Sequence, residues 1–151
     1  MKTFLLILAL LLLFLINAKA QVKFVEINAS ALMNDKSTSD YAIKVYEDGK
    51  LKDSIFCKKS KPITISLESN KVFSIVFKKE SYPERFVIVD TKVPKGLRDM
   101  SEDPFDLQIE LSPGVTSIKK DLHDFPVAIL TINKKEKSLM ASENYHQYTH
   151  N

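Results

Sequence analysis

Apolar and polar residues alternate with a period of two along most of the chain. Phe105-Asp106-Leu107-Gln108-Ile109-Glu110-Leu111 alternates without a fault, and Ile63-Thr64-Ile65-Ser66-Leu67 does the same. Such segments are strands with one face on a core and the other in water. Val72 to Phe77 and Phe86 to Val89 are denser apolar runs, as expected of central strands buried on both faces. Val22 to Ile27, Tyr41 to Tyr46, Leu51 to Cys57 and Val127 to Ile132 complete the predicted strands. Glu47-Asp48-Gly49-Lys50 has the form of a tight hairpin, and Glu68-Ser69-Asn70-Lys71 is a second polar turn. Pro83, Pro94 and Pro104 fall between apolar runs and not inside them. No stretch after residue 20 sustains a helical stripe over three turns. The pattern predicts an all-β fold, an antiparallel sandwich of seven or eight strands. Its expected core is Ile43, Val45, Ile63, Ile65, Leu67, Phe73, Ile75, Phe77, Phe86, Ile88, Phe105, Leu107, Ile109, Leu111, Val127 and Ile129.

The first twenty residues follow a different rule. Lys2 precedes a run from Phe4 to Ile16 with no charge or proline, and Asn17-Ala18-Lys19-Ala20 ends it with small residues where a signal peptidase reads. The apolar run is too short for the roughly 20 residues of a spanning helix. The expectation is an exported chain cleaved between Ala20 and Gln21, with a β-sandwich domain at 21–133. A polar tail at 134–151 is then either disordered or an edge strand. No second apolar run is long enough to span a bilayer, and no cysteine near the cleavage site offers a lipid anchor. The predicted location is therefore periplasmic or extracellular, and soluble.

Charge and chemistry narrow the function by exclusion. Among the 22 lysines and arginines, Lys2 and Lys19 belong to the leader; the remainder nearly balance 19 acidic residues. That balance leaves no electrostatic footprint for nucleic acid. The single cysteine, Cys57, ends an apolar run, which suits a buried free thiol. His146 and His150, with Glu143, have helical ligand spacing but sit in a segment without an apolar stripe. Asp99, Glu102 and Asp103 lack the alternating pattern that wraps calcium. An enzyme would require the fold to bring His123 beside Cys57 or a carboxylate pair. No cofactor and no metal site are expected. The lysine pairs 58–59, 78–79, 119–120 and 134–135 read as edge protection, with a polyanion-binding surface as the alternative. Asn28-Ala29-Ser30 has the N-glycosylation pattern. Asp53-Ser54-Ile55 is similar to an O-glycosylation acceptor pattern of exported Bacteroidetes proteins, with Ser54 as the acceptor.

One long stretch has a recognisable rhythm. A strand from Tyr41 ends at Asp48-Gly49, and another enters the turn Leu67-Glu68-Ser69-Asn70-Lys71. A corner at Lys79-Glu80-Ser81-Tyr82 precedes a strand ending Val89-Asp90-Thr91, and Phe105 to Leu111 returns after a loop. This stretch, roughly residues 38 to 132, resembles the carboxypeptidase-regulatory-like, transthyretin-like β-sandwich modules of Bacteroidetes envelope proteins. Two departures stand out: Ser81 occupies a position where glycine is usual, and Ser60-Lys61-Pro62-Ile63 replaces the common strand entry. At the corner, Tyr82 is expected to bury its ring and hydrogen-bond its hydroxyl to backbone.

The resemblance implies a non-catalytic binding or structural module whose partner is an envelope protein or a glycan. The predicted contact is the longest loop between well-formed strands, through Lys92, Lys95, Arg98, Asp99, Glu102 and Asp103. Two alternatives remain: a small secreted enzyme with a loop-built site, and a subunit that self-assembles through an exposed sheet edge, Val127 to Ile132. A homo-oligomer is the less favoured state.

Overall fold

The computed structural model describes residues 24–101, 103–112 and 125–142. Residues 1–23, 102, 113–124 and 143–151, the three histidines and Glu102 among them, lie outside that set. Among the described residues there is no helix, so none is long and apolar enough to cross a membrane. Ten strands form two sheets: β1 (Phe24–Met33), β2 (Lys36–Ser37), β3 (Tyr41–Glu47), β4 (Lys50–Cys57), β5 (Ile63–Glu68), β6 (Val72–Lys78), β7 (Arg85–Asp90), β8 (Phe105–Glu110), β9 (Ala128–Asn133) and β10 (Ser138–Ala141). The all-β sandwich expected from the period-two pattern is therefore present, with two short strands, β2 and β10, beyond the expected number.

In the first sheet β1 is central, flanked by β5 and β8, and β2 folds back on its last residues. The second sheet has six strands in the order β10-β9-β7-β6-β3-β4. The sheets are mixed and not wholly antiparallel, because β1 pairs with β8 and β7 pairs with β9 in parallel. The chain leaves β7, crosses to the first sheet as β8, then returns to lay β9 beside β7. Parallel neighbours need a crossover of about this kind, a dozen or more residues long.

Tight turns carry the hairpins. Asp48 (φ 49°) and Gly49 (φ 76°) join β3 to β4, and Asn34 (φ 51°) and Asp35 (φ 61°) join β1 to β2. Two successive left-handed residues match the twist of the flanking strands, and Asn, Asp and Gly tolerate that conformation best. β4 carries a bulge opposite Val45 and Tyr46, which twists this edge of the sheet.

The inner faces meet in one core. Ile43, Val45, Ile65, Leu67, Phe73, Ile75, Phe77, Leu107, Ile109 and Leu111 are buried, as the alternation predicts. β7 and β9 have the opposite phase from that expected. Val87, Val89, Leu130 and Ile132 face inward, while Phe86, Ile88 and Ile129 are half-buried on the outer face and Val127 is exposed. Ile63 and Phe105, at strand ends, are half-buried as well. β9 is not a sheet edge, since β7 and β10 pair on its two sides; the second sheet's edges are β4 and β10. Part of the predicted tail is thus the edge strand β10.

Ala29 and Ala31 on β1 are buried, and their small side chains leave room for Tyr41 from the facing sheet. The Tyr41 ring stacks on Phe77 with centroids 6.4 Å apart, and its hydroxyl accepts a hydrogen bond from the Ala31 amide at 3.3 Å. Tyr41 therefore fills the role expected of Tyr82. The Tyr82 ring is half-buried against the core, and its hydroxyl has no hydrogen-bond partner among the described residues.

Candidate functional site

One end of the sandwich gathers the β3–β4 turn, the β5–β6 turn, the loop after β7 and the β9–β10 turn. Thr91, fully buried at the end of β7, organises this end. Its hydroxyl lies 2.7 Å from the Glu68 carbonyl and 2.9 Å from the Lys71 carbonyl, and accepts from the Lys71 amide at 3.0 Å. Backbone bonds from Thr91 N to Lys71 O and from Asn70 N to Thr91 O close the arrangement, each at 2.9 Å. Asn70 has φ 63°, and its side-chain oxygen accepts from the Val93 amide at 3.1 Å. The β5–β6 turn and the start of the loop are thus one hydrogen-bonded unit.

The loop from Lys92 to Asp103 is pinned along its length. Val93, Leu97 and Met100 pack on the core. Leu97 N donates to Pro94 O at 3.1 Å, and Ser101 N donates to Lys137 O at 2.7 Å. The Lys137 ammonium is 3.0 Å from the Asp99 carboxylate. Gly96, at φ 83°, lies beside the Lys134 side chain. Of the residues expected to make partner contacts, Lys92, Lys95, Arg98, Asp99 and Asp103 are all exposed along this loop, while Glu102 lies outside the described residues. Asp99 pairs with Lys137 of the β9–β10 turn and keeps most of its side chain exposed. Lys134 and Lys137 were missed as neighbours of the loop, because nothing in sequence connects Asp99 to a lysine 38 positions away.

Beside this end, Glu47 pairs with Lys52 and Lys71 at 2.8 Å each, and Lys71 also pairs with Glu68 at 2.6 Å. Hydrogen bonds from Lys52 and then Lys71 hold the Glu47 carboxyl below the usual carboxylate range. Bonds to Glu47 and then Glu68 push the Lys71 ammonium up. These paired charges form the rim of a shallow groove between the edge strands β4 and β5, with Val45, Ile55, Ile65, Leu67 and Phe73 along its floor. The network orders the rim and carries no nucleophile.

The other candidate chemistry is scattered among the described residues, and His123, which the enzyme alternative needs, lies outside them. Cys57 is 1% exposed, and burial pushes its thiol pKa up, so it is a packing residue beside Tyr41 and not an activated nucleophile. No group of three His, Cys, Asp or Glu residues among the described ones could hold a metal ion. Asn28 has its side-chain amide committed on both sides: it donates to Asp106 at 3.2 Å and accepts from Thr64 at 2.8 Å. Ser54 is exposed on the edge strand β4, its amide donating to the Asp53 carboxylate at 2.7 Å.

The fold and this end define a β-sandwich module with a hydrogen-bonded, charged loop end. No family model matches the sequence, and no curated protein or solved structure matches it.

Proposed function

We propose that the chain is an exported, non-catalytic module of the bacterial cell envelope that holds a protein or glycan partner at the loop end of its sandwich. One observation carries this reading. The Lys92–Asp103 loop packs Val93, Leu97 and Met100 half-buried against the core while presenting Lys92, Lys95 and Arg98 to solvent. A loop anchored this way loses little conformational freedom on binding, so its contacts are not offset by ordering cost. The Asn70–Thr91 unit and the left-handed Ser81 support the resemblance to carboxypeptidase-regulatory-like modules, since both lie where that pattern has its turn and its glycine. Export rests on the leader at 1–20 and gives a soluble periplasmic or extracellular protein.

The experiment is a pull-down from the soluble envelope fraction of cells expressing the full precursor, with Lys92, Lys95 and Arg98 changed together to glutamate. The native loop should retain a partner that the altered loop loses, with both proteins equally stable. Equal recovery of the partner by both would remove this loop from the site. Uncleaved chain in the cytoplasm would remove the export reading.

A further inference from the structure

We infer that the outer face of the six-stranded sheet is a docking surface for a second copy of this chain, two molecules stacking sheet on sheet. The two outer faces of the sandwich differ sharply. On the first sheet the outward positions Glu26, Asn28, Thr64, Ser66, Asp106 and Gln108 are polar, and the apolar ones, Phe24 and Leu32, stand apart near the two ends of β1. On the second sheet the register sets Leu51, Tyr46, Ile88 and Ile129 in one row, interrupted only by Ser74 on β6. The next row sets Val76 beside Phe86, and Val127 N bonds to Phe86 O. Phe56, Val72 and Met140 extend the field toward its borders.

Leu51, Phe56, Val72, Val127 and Met140 are each between 36% and 59% exposed. With their half-buried neighbours they expose apolar area on the order of 600 Å², the upper end of the largest patch on a typical monomer. Adding the polar positions Lys44, Ser74, Asp90 and Thr131 brings the face near the ~800 Å² that one partner contributes to a stable interface.

Charge selects the occupant. Lys78 is already paired with Glu84 at 2.7 Å. The charges left within the field are Lys44, which has no ion pair among the described residues, and Asp90, whose carboxylate accepts from the Lys92 amide at 2.9 Å through one oxygen. They sit on different strands and in different rows, one of each sign, so a two-fold pairing can set the lysine of one copy toward the aspartate of the other. Two twisted sheet faces of this kind stack about 10 Å apart with their strands nearly aligned. The loop end borders the stacked faces at Val72 and Asp90, and Lys95 and Arg98 lie beyond that border in the loop, so this inference does not depend on the envelope partner.

Sedimentation equilibrium of the exported chain at tens of micromolar tests it. The expected species is a dimer. Ile88→Glu, at the centre of the field and pointing outward, should raise the dimer dissociation constant about 30-fold or more, as for a central interface residue. Leu51→Glu should weaken it in the same direction, and Gln108→Lys on the polar face should leave it unchanged. Circular dichroism of each variant checks that the sandwich remains. A native chain that sediments as a monomer would overturn the inference. So would a dimer that survives both glutamate substitutions with an unchanged spectrum.

Discussion

The hydroxyl of Thr91 and the amide of Lys71 are 3.0 Å apart and join the end of β7 to the β5–β6 turn. The single proton of the same hydroxyl lies between the Glu68 carbonyl at 2.7 Å and the Lys71 carbonyl at 2.9 Å, so the group serves the turn as both acceptor and donor. A valine fits this space but leaves the Lys71 amide and the Glu68 carbonyl without that partner in a part-buried place. Thr91→Val should therefore cost about 1–3 kcal/mol, while Thr91→Ser, which keeps the oxygen, should cost less. Urea denaturation of the three proteins gives the order directly. A Thr91→Val protein as stable as the native one would mean that the turn is held by its backbone bonds alone.

Ser81 has φ 65°, in the left-handed region where a side chain crowds the following carbonyl. The turn it occupies is fixed by Tyr82 N bonding to Lys79 O at 3.1 Å. Glycine relieves the crowding at the expense of a more flexible unfolded chain. Ser81→Gly is expected to stabilise the protein by about 0.5–1 kcal/mol, and Ser81→Val, with a branched side chain, to destabilise it. Thermal melts of both variants test the pair. A loss of stability with glycine would show that the Ser81 side chain does something the corner requires.

The strands were legible in the sequence wherever one face is polar. Phe105 to Leu111 alternates strictly, and Leu107, Ile109 and Leu111 are buried as that phase requires. The runs Phe86-Val87-Ile88-Val89 and Val127-Ala128-Ile129-Leu130 offer no polar face, and a slip of one residue exchanges the two sides. Cross-strand neighbours decide instead: Phe73 faces inward, and its partner Val89 follows. The missed phase and the apolar outer face thus share one cause. The pattern ends the first strand at Ile27, short of Met33, because Ala29, Ser30 and Ala31, though buried, carry little hydrophobic signal. At the loop end, the exposed charges could be listed from sequence, but their fixation by Asn70, Thr91 and Lys137 depends on contacts distant along the chain.

Tyr41 and Cys57 make the fold sensitive to alkali. Burial, and then the neighbouring Cys57, push the Tyr41 phenol from 10.0 to about 12. Burial pushes the Cys57 thiol up as well. Both groups hold their protons more tightly in the folded protein than in the unfolded chain. Their contribution is complete below the unfolded values and is lost as pH rises through the folded ones. Between about pH 9 and 12 stability should fall by an amount on the order of 2 kcal/mol. Tyr41→Phe should flatten that fall, while costing about 1 kcal/mol at neutral pH through the lost bond to the Ala31 amide. Absorbance titration of tyrosinate alongside urea melts at several pH values separates the two effects. A thiol reagent should modify Cys57 only at the rate of unfolding. Rapid modification of the native protein would contradict its burial.

The loop from Lys92 to Asp103 divides its residues between anchoring and display, and substitutions should divide in the same way. Leu97 is half-buried against the core, so Leu97→Ala removes apolar contact and should cost about 1–2 kcal/mol. Removing the loop's middle should do at least as much damage, because Leu97 and its bond to Pro94 go with it. Asp99 and Lys137 form an exposed ion pair, and exposed pairs contribute little, so Asp99→Asn should change stability by less than about 1 kcal/mol. Arg98→Glu alters an exposed side chain and should leave the melting temperature where it was while weakening retention of the envelope partner. The decisive comparison is Leu97→Ala against Arg98→Glu, each measured for both stability and partner recovery. If Arg98→Glu melts early, the charge is part of the scaffold. If Leu97→Ala melts early yet retains the partner fully below its transition, anchoring and display are separate properties of the loop, as the structure arranges them.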